Sequence, residues 1–254
     1  MFSLKNKTTI ITGGASGIGR ATSLLFGKQG AIVYVVDINQ DQVEETIRLI
    51  KGEGGEAYGY RCDVTVQADV IKLYKEIGTI DILINCAGIS HIGKADTTTE
   101  EEFDRIFKVN VKGVYHSLYA ALGIMKQQGA GVILNLSSVA AIVGLADRFS
   151  YSMSKGAVYA MTMSVAKDYI GYNIRCNCVS PGRVHTPFVD KFLAKNYPGQ
   201  EEEMFEKLSK TQPIGRMATP EEIGWLILYL CSDEASFITG SDYNIDGGFL
   251  KLNT

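Results

Sequence analysis

Thr8-Thr9-Ile10-Ile11-Thr12-Gly13-Gly14-Ala15-Ser16-Gly17-Ile18-Gly19 is the stretch that decides the fold. Its first five residues are all β-branched, which favours an extended strand. Four glycines follow within seven positions, and an amphipathic run to about Gln29 then reads as a helix. Strand, glycine turn and helix in that order turn a loose glycine pattern into a phosphate-site hypothesis. Glycines let the backbone turn sharply and approach a pyrophosphate, while the helix N-terminus offers free N–H groups and partial positive charge. A tight strand-to-helix turn with no ligand would use the same glycines. The choice rests on what the rest of the chain supplies.

A second strand, Ala31 to Val36, ends at Asp37, 18 residues past Gly19. A carboxylate about 20 residues beyond such glycines is placed to hold the adenosine ribose hydroxyls of a dinucleotide. It also repels a 2′-phosphate, and neither Ser16 nor Ile38 provides a cation to reverse that preference. NAD is therefore expected over NADP. A helix from Gln40 to about Gly52 and a strand from Glu56 to Arg61 lead to Cys62-Asp63-Val64, where Asp63 either meets the adenine edge or caps the next helix. That helix, about Val66 to Ile77, is short. The fourth strand, Ile80 to Ile84, ends in Asn85-Cys86-Ala87-Gly88, whose small residues allow close cofactor approach at the strand end.

Glu100 to about Gln128 reads as one long helical stretch with Asn110 inside it. An asparagine buried mid-helix needs partners and can disturb the local backbone bonding or hold a water. Gly131 to Ser138 is the fifth strand, bringing the Ser138 hydroxyl to the same edge; a loop with Asp147 and Arg148 precedes a helix running to about Gly171. Strand six, Asn173 to Val179, stops at Ser180-Pro181-Gly182. From His185 to about Thr219 the chain is more charged and less regular, as expected of a lid over a site. Thr219-Pro220 then opens a helix to about Cys231, and Tyr243 to Ile245 is a last strand. Strand–helix alternation persists without repeat or linker. A single α/β domain over residues 1–254 is the expectation.

Composition narrows the function classes. A net charge of −3 and a pI near 5.7 leave no electrostatic footprint for nucleic acid. No apolar run approaches the roughly 18 residues of a membrane span, and the chain runs straight into its first strand without room for a signal peptide. The five cysteines form neither an even disulfide set nor a metal-spaced cluster. Cys176 and Cys178 share a strand face, but none of the three histidines pairs with another at ligand spacing. No metal is expected, and reduced, mostly buried thiols in a cytoplasmic protein are.

Tyr151-Ser-Met-Ser-Lys155 supplies the chemistry. A tyrosine and a lysine four apart share one helix face, so their heads can meet over one point. An ammonium beside a phenol favours its anion, and that anion is a general base for a substrate hydroxyl. Alone, such a pair is an ordinary helix face. In order along the chain with the glycine turn, Asn-x-Ala-Gly and a serine strand end, it is not.

Thr12-Gly13-x-x-x-Gly17-x-Gly19, Asn85-Cys86-Ala87-Gly88, Asn110, Ser138, Tyr151-x-x-x-Lys155 and Pro181-Gly182-x-Val184-x-Thr186 together resemble the short-chain dehydrogenase/reductase family, across essentially the full chain. The resemblance implies a Rossmann-type, doubly wound parallel sheet of about seven strands with helices on both faces. It implies an NAD-dependent oxidoreductase that interconverts a secondary alcohol and a ketone. Tyr151 would be the acid/base, and Lys155 would favour its anion and hold the nicotinamide ribose. Ser138 would orient the substrate oxygen and Asn110 would hold a relay water. The cofactor would lie against Gly13, Ser16, Gly17, Ile18, Gly19, Asp37, Ile38, Asp63, Val64, Asn85, Ala87, Gly88, Pro181, Gly182, Val184 and Thr186. Cys86 departs from the second asparagine usual in the family. A homotetramer is implied too, with faces from Ala157 to Ala166 and from Ile238 to Phe249.

Asp147-Arg148-x-x-Tyr151, Ile174-Arg175-Cys176-Asn177-Cys178 and Gly215-Arg216-Met217-Ala218-Thr219 are similar to the branch holding cytosolic 3-hydroxybutyrate dehydrogenase type 2 and 2-keto-3-deoxy-L-fuconate dehydrogenase. Arg148 precedes the base by three residues and could grip a substrate carboxylate bidentately, with Arg216 as a second contact and His91 lining the pocket. The bland readings are a surface salt bridge, a loop anchor and an exposed histidine. A hydroxy acid or sugar-derived acid is the expected substrate, a neutral sugar or polyol the alternative. An idle NAD-sensing or scaffold protein is the reading from another class.

Overall fold

Apolar side chains leave each strand alternately toward two layers, and that alternation builds the molecule. In the computed structural model, which describes residues 2–252, seven strands form one parallel sheet in the order β3-β2-β1-β4-β5-β6-β7. They are β1 (Thr8–Thr12), β2 (Ile32–Asp37), β3 (Glu56–Arg61), β4 (Ile82–Asn85), β5 (Gly131–Leu136), β6 (Ile174–Pro181) and β7 (Asp242–Ile245). The order reverses between β1 and β4, the switch point where open parallel sheets bind ligands.

Ile11, Val33, Val35, Ile82, Ile84, Leu134 and Val179 point to one layer, closed by α1 (Gly17–Lys28), α2 (Gln40–Gly52) and α9 (Pro220–Cys231). Ile10, Val36, Leu83, Ile133 and Cys176 point to the other, closed by α3 (Gln67–Ile77), α5 (Gly113–Gln128) and α6 (Phe149–Tyr169). The central strands are therefore apolar on both faces, as a covered parallel sheet requires. The apolar stretch from Gly224 to Cys231 is the buried helix its composition predicts, and Thr219 starts it in a capping box with Glu222.

Two regions differ from expectation. The long helix from Glu100 is three pieces: α4 (Glu100–Ile106), a π-helical turn (Phe107–Lys112) holding Asn110, and α5. The irregular stretch after β6 contains two helices, α7 (Pro187–Asn196) and α8 (Glu201–Ser209). No helix among the described residues is long and apolar enough to cross a membrane.

Candidate active site

The glycine turn is shaped by close approach. Gly13 and Gly17 have φ of +66° and +51°, in the left-handed region that favours glycine. A Cβ on Gly13 would sit 2.8 Å from Ala87 Cα, and one on Gly19 would run into the Gly13 carbonyl. One on Gly17 would lie 3.4 Å from Thr186 Cγ2, so the turn, the Asn-x-Ala-Gly loop and the segment after β6 border one cleft. Ser16 does not cap α1 with its side chain, and the first turn carries no acid. A glycine cradle opening on uncapped N–H groups fits a dinucleotide pyrophosphate.

Asp37, at the end of β2, accepts from Ala15 N (3.3 Å) through Oδ2 and from Asn39 N (3.2 Å) through Oδ1. Its carboxylate is thereby held beside the glycine turn, with Ile38 exposed next to it. Asp63 Oδ1 accepts from Thr65 N at 2.9 Å, a turn bond rather than a helix cap, since the cap position of α3 is Val66, which makes no side-chain cap bond. Val64 is buried, and its carbonyl is bonded to the His116 ring at 2.8 Å. Asn85 is buried at the end of β4, donating to Asn135 Oδ1 at 2.8 Å inside the sheet. Ala87 and Gly88 line the cleft by backbone.

Ser138 after β5, Tyr151 and Lys155 on α6, and Asn110 in the π turn come from three separate stretches and meet at the carboxyl ends of β4 and β5. Lys155 is buried on α6 with Nζ 5.9 Å from the Tyr151 ring centre, and it donates to Leu136 O at 2.6 Å where β5 ends. Ser138 is also buried; its hydroxyl accepts from Ala140 N at 3.2 Å and keeps its own proton to donate. Asn110 clamps the loop after β4 with two 2.8 Å bonds, accepting from Ile89 N and donating to Ile89 O, and donates to Ser154 Oγ on α6 at 3.0 Å. That pairing explains the π turn: a widened turn lets an interior amide serve a neighbouring loop. A Cβ on Gly88 would lie in ordinary contact with both groups, 3.4 Å from Asn110 Oδ1 and 3.7 Å from Lys155 Nζ, which places Gly88 beside them.

The expected substrate contacts separate. Arg148 is half-buried at the start of α6, with Nη1 3.4 Å from His91 O and the Tyr151 hydroxyl within reach of its charge. His91 is not an exposed loop histidine, nor is its ring open to a substrate. It bridges Ser150 Oγ (3.1 Å) and Glu102 (3.0 Å), which fastens α4 to α6. Arg216 is withdrawn as well. Its two terminal nitrogens take both Glu222 oxygens, at 2.8 and 2.6 Å, completing the start of α9. Both corrections have one cause, a carboxylate far enough along the chain to escape a local reading.

Arg183, inside Pro181-Gly182-x-Val184-x-Thr186, is half-buried and donates from Nε to Thr211 Oγ1 at 3.0 Å. Burial, and then the Arg148 charge, push its guanidinium below the usual range.

A family model described as enoyl-(acyl carrier protein) reductase matches residues 13–250. Dehydrogenase/reductase SDR family member 6 of Xenopus laevis is 40% identical, over 98% of this chain and 99% of its own. 2-Keto-3-deoxy-L-fuconate dehydrogenase of Xanthomonas campestris is 35% identical, over 97% of this chain and 81% of its own. The crystal structure of L-sorbose reductase from Gluconobacter frateurii, complexed with NADPH and L-sorbose, superposes with a TM-score of 0.94 at 28% identity, over 99% of each chain. The chain belongs to the short-chain dehydrogenase/reductase family of oxidoreductases.

Proposed function

We propose that the protein oxidises a secondary alcohol to a ketone, or the reverse, on a hydroxy acid or sugar-derived acid, with NAD as the preferred cofactor. The observation that carries the substrate class is Arg148, a half-buried guanidinium three residues before Tyr151 that makes no ion pair among the described residues, although the Asp147 carboxylate lies within range of its charge. Leaving such a charge partly desolvated is costly unless an anion completes it.

In the oxidative direction Ser138 donates to the substrate oxygen and Tyr151 removes its proton, with the Lys155 ammonium 5.9 Å from the ring centre. Asn110 fixes the backbone behind Lys155, where a water would continue the proton path. When bound, the nicotinamide supplies the hydride acceptor. Gly13, Ser16, Gly17, Ile18 and Gly19 would hold its pyrophosphate; Asp37 and Ile38, with Asp63 and Val64, would flank the adenosine. Asn85, Ala87 and Gly88 would wall the cleft, with Lys155 and Tyr151 at the nicotinamide ribose, and Pro181, Gly182, Val184 and Thr186 would hold the carboxamide end. Residues 185–219 would close over the substrate. The faces expected of a homotetramer, Ala157 to Ala166 and Ile238 to Phe249, would be joined by exposed Tyr115 and Tyr119 on α5, with exposed Tyr159 inside the first.

The carboxylate of Asp37 supports NAD over NADP by repulsion of a 2′-phosphate. The test is NADH and NADPH formation with a panel of hydroxy acids and neutral sugars of matched size. Turnover confined to carboxylates with NAD supports the reading. Turnover of neutral sugars alone overturns the acid specificity and favours the polyol alternative, to which the likeness to L-sorbose reductase lends weight.

A further inference from the structure

The loop after β4, from Ile89 to Gly93, is held at three points. Asn110 grips Ile89 at one end. At the other, Gly93 pairs with the start of α6: its N–H donates to Asp147 O at 3.0 Å and its carbonyl accepts from Phe149 N at 3.1 Å. Between them the His91 side chain turns inward and is only 9% exposed, with Nδ1 3.1 Å from Ser150 Oγ and Nε2 3.0 Å from Glu102 Oε2. A Cβ on Gly93 would meet His91 Cε1 at 2.6 Å, so glycine there makes room for the ring. Ser150 is fully buried, and among the described residues its hydroxyl has no partner but His91. Glu102 is itself fixed, in a capping box with Thr99 at the start of α4.

A serine, a histidine and a carboxylate in line could activate a nucleophile, but a buried Ser150 offers its hydroxyl to no substrate. The line of bonds is a brace. What it holds is the His91 backbone, whose carbonyl lies 3.4 Å from Arg148 Nη1. Arg148 follows Asp147, whose φ of +57° is sparsely populated for a residue with a side chain and persists here through the pairing with Gly93. The Asp147 carboxylate lies within range of the same guanidinium. A guanidinium released from the His91 carbonyl would be free to turn to that neighbour. The catalytic pair is secured from other directions: Ser137 Oγ donates to Lys155 O at 3.2 Å, Lys155 Nζ to Leu136 O, and Asn110 to Ser154 Oγ. A fault at His91 therefore reaches Arg148 before it reaches Tyr151 or Lys155.

We infer that His91 is a positioning residue for substrate binding: its ring, braced between Ser150 and Glu102, fixes the carbonyl that orients the Arg148 guanidinium toward the carboxylate of a hydroxy acid. This deepens the reading of Arg148 as the group that binds that carboxylate and rests on it. His91 touches neither substrate nor cofactor, and its effect passes through Arg148.

The test is a double-mutant cycle on the full chain, read as KM and kcat for a hydroxy acid that the turnover panel shows to be oxidised. His91→Ala should raise KM for the acid about tenfold, the scale of a displaced charge-assisted contact, with KM for NAD unchanged and kcat reduced by a smaller factor. On an Arg148→Ala background the same change should move KM by less than about twofold, within the scatter of such cycles. His91→Gln, whose amide can replace one of the two ring contacts, should recover part of the loss. Glu102→Gln weakens the brace from its exposed end, so it reports the same rise in KM, smaller, even if His91→Ala does not fold. An equal rise in KM on both backgrounds, or a loss of NAD affinity in step with it, makes His91 structural and overturns the inference. If Arg148→Ala raises KM while neither His91→Ala nor Glu102→Gln does, the positioning role falls alone. If Arg148→Ala leaves KM unchanged, or no carboxylate is oxidised, it is the reading of Arg148 that falls, and the inference with it.

Discussion

The glycine turn between β1 and α1 and the segment from Pro181 to Thr219 face each other across one cleft, yet they are built on different principles. The turn works through backbone shape. Gly13 and Gly19 are where they are because a single added carbon would meet Ala87 or the Gly13 carbonyl, and α1 is left uncapped for a ligand. The facing segment works through side-chain pairing. Arg183, Thr211, Gln212, Arg216 and Glu222 are sorted into anchors and open charges by bonds between separate stretches of chain. Where steric shape sets the role, neighbouring residues reveal it; where pairing sets it, the partner must be known.

Removing the reactive group between the two regions should have the largest effect. Tyr151→Phe deletes the acid/base and keeps the ring, so kcat should fall by about 10²–10⁴-fold while NAD affinity, read by fluorescence titration, stays near the native value. Residual turnover within tenfold of native would break the assignment.

Gly19→Ala tests the backbone side. The new methyl meets the Gly13 carbonyl, so the turn must shift. Stability should drop by about 1–3 kcal/mol, as for other overpacked sites, with dinucleotide binding weakened in parallel. Equilibrium denaturation and NAD titration on the same sample would show whether the two losses are linked.

Arg148→Ala tests the paired side. Loss of a charge-assisted contact worth about 1.5–3 kcal/mol should raise KM for a hydroxy acid by about 10–100-fold and leave KM for NAD unchanged. A KM unchanged for carboxylates would return Arg148 to a structural role.

The smallest effect belongs to the outer anchor. The Arg216 guanidinium, and behind it the Thr219 N–H, hold the Glu222 carboxyl at about 2. A carboxyl lowered on folding contributes stability above its unfolded value near 4.3 and loses it as pH falls toward 2. Glu222→Gln should therefore lower Tm slightly at pH 7, with the gap to native closing between about pH 4 and 2. Both groups are exposed, so solvent screening keeps the difference small. A gap that persists at pH 2 would place the effect in the helix cap alone.

Much of the architecture was legible beforehand. Alternating and continuous apolar runs predict the strands, Thr219-Pro220 predicts the start of α9, and the ordered motifs predict which strand ends meet. The break in the helix around Asn110 was half legible: an interior asparagine signals disturbed bonding, but the π turn depends on Ile89 and Ser154, 21 and 44 residues away. His91 was not legible at all. Nothing local says that Glu102 and Ser150 will occupy its ring.

The sequence by itself determined the sheet, the glycine cradle and the positions of Ser138, Tyr151 and Lys155, because these follow from steric limits and periodicities that act over a few residues. Only the tertiary structure decided which charges are spent and which are open. Arg216 is closed by Glu222, while Arg183, held at Nε by Thr211, makes no ion pair among the described residues. The physical reason is that neutralising a charge depends on which partner comes within a few ångströms, and distance in space is not written in distance along the chain.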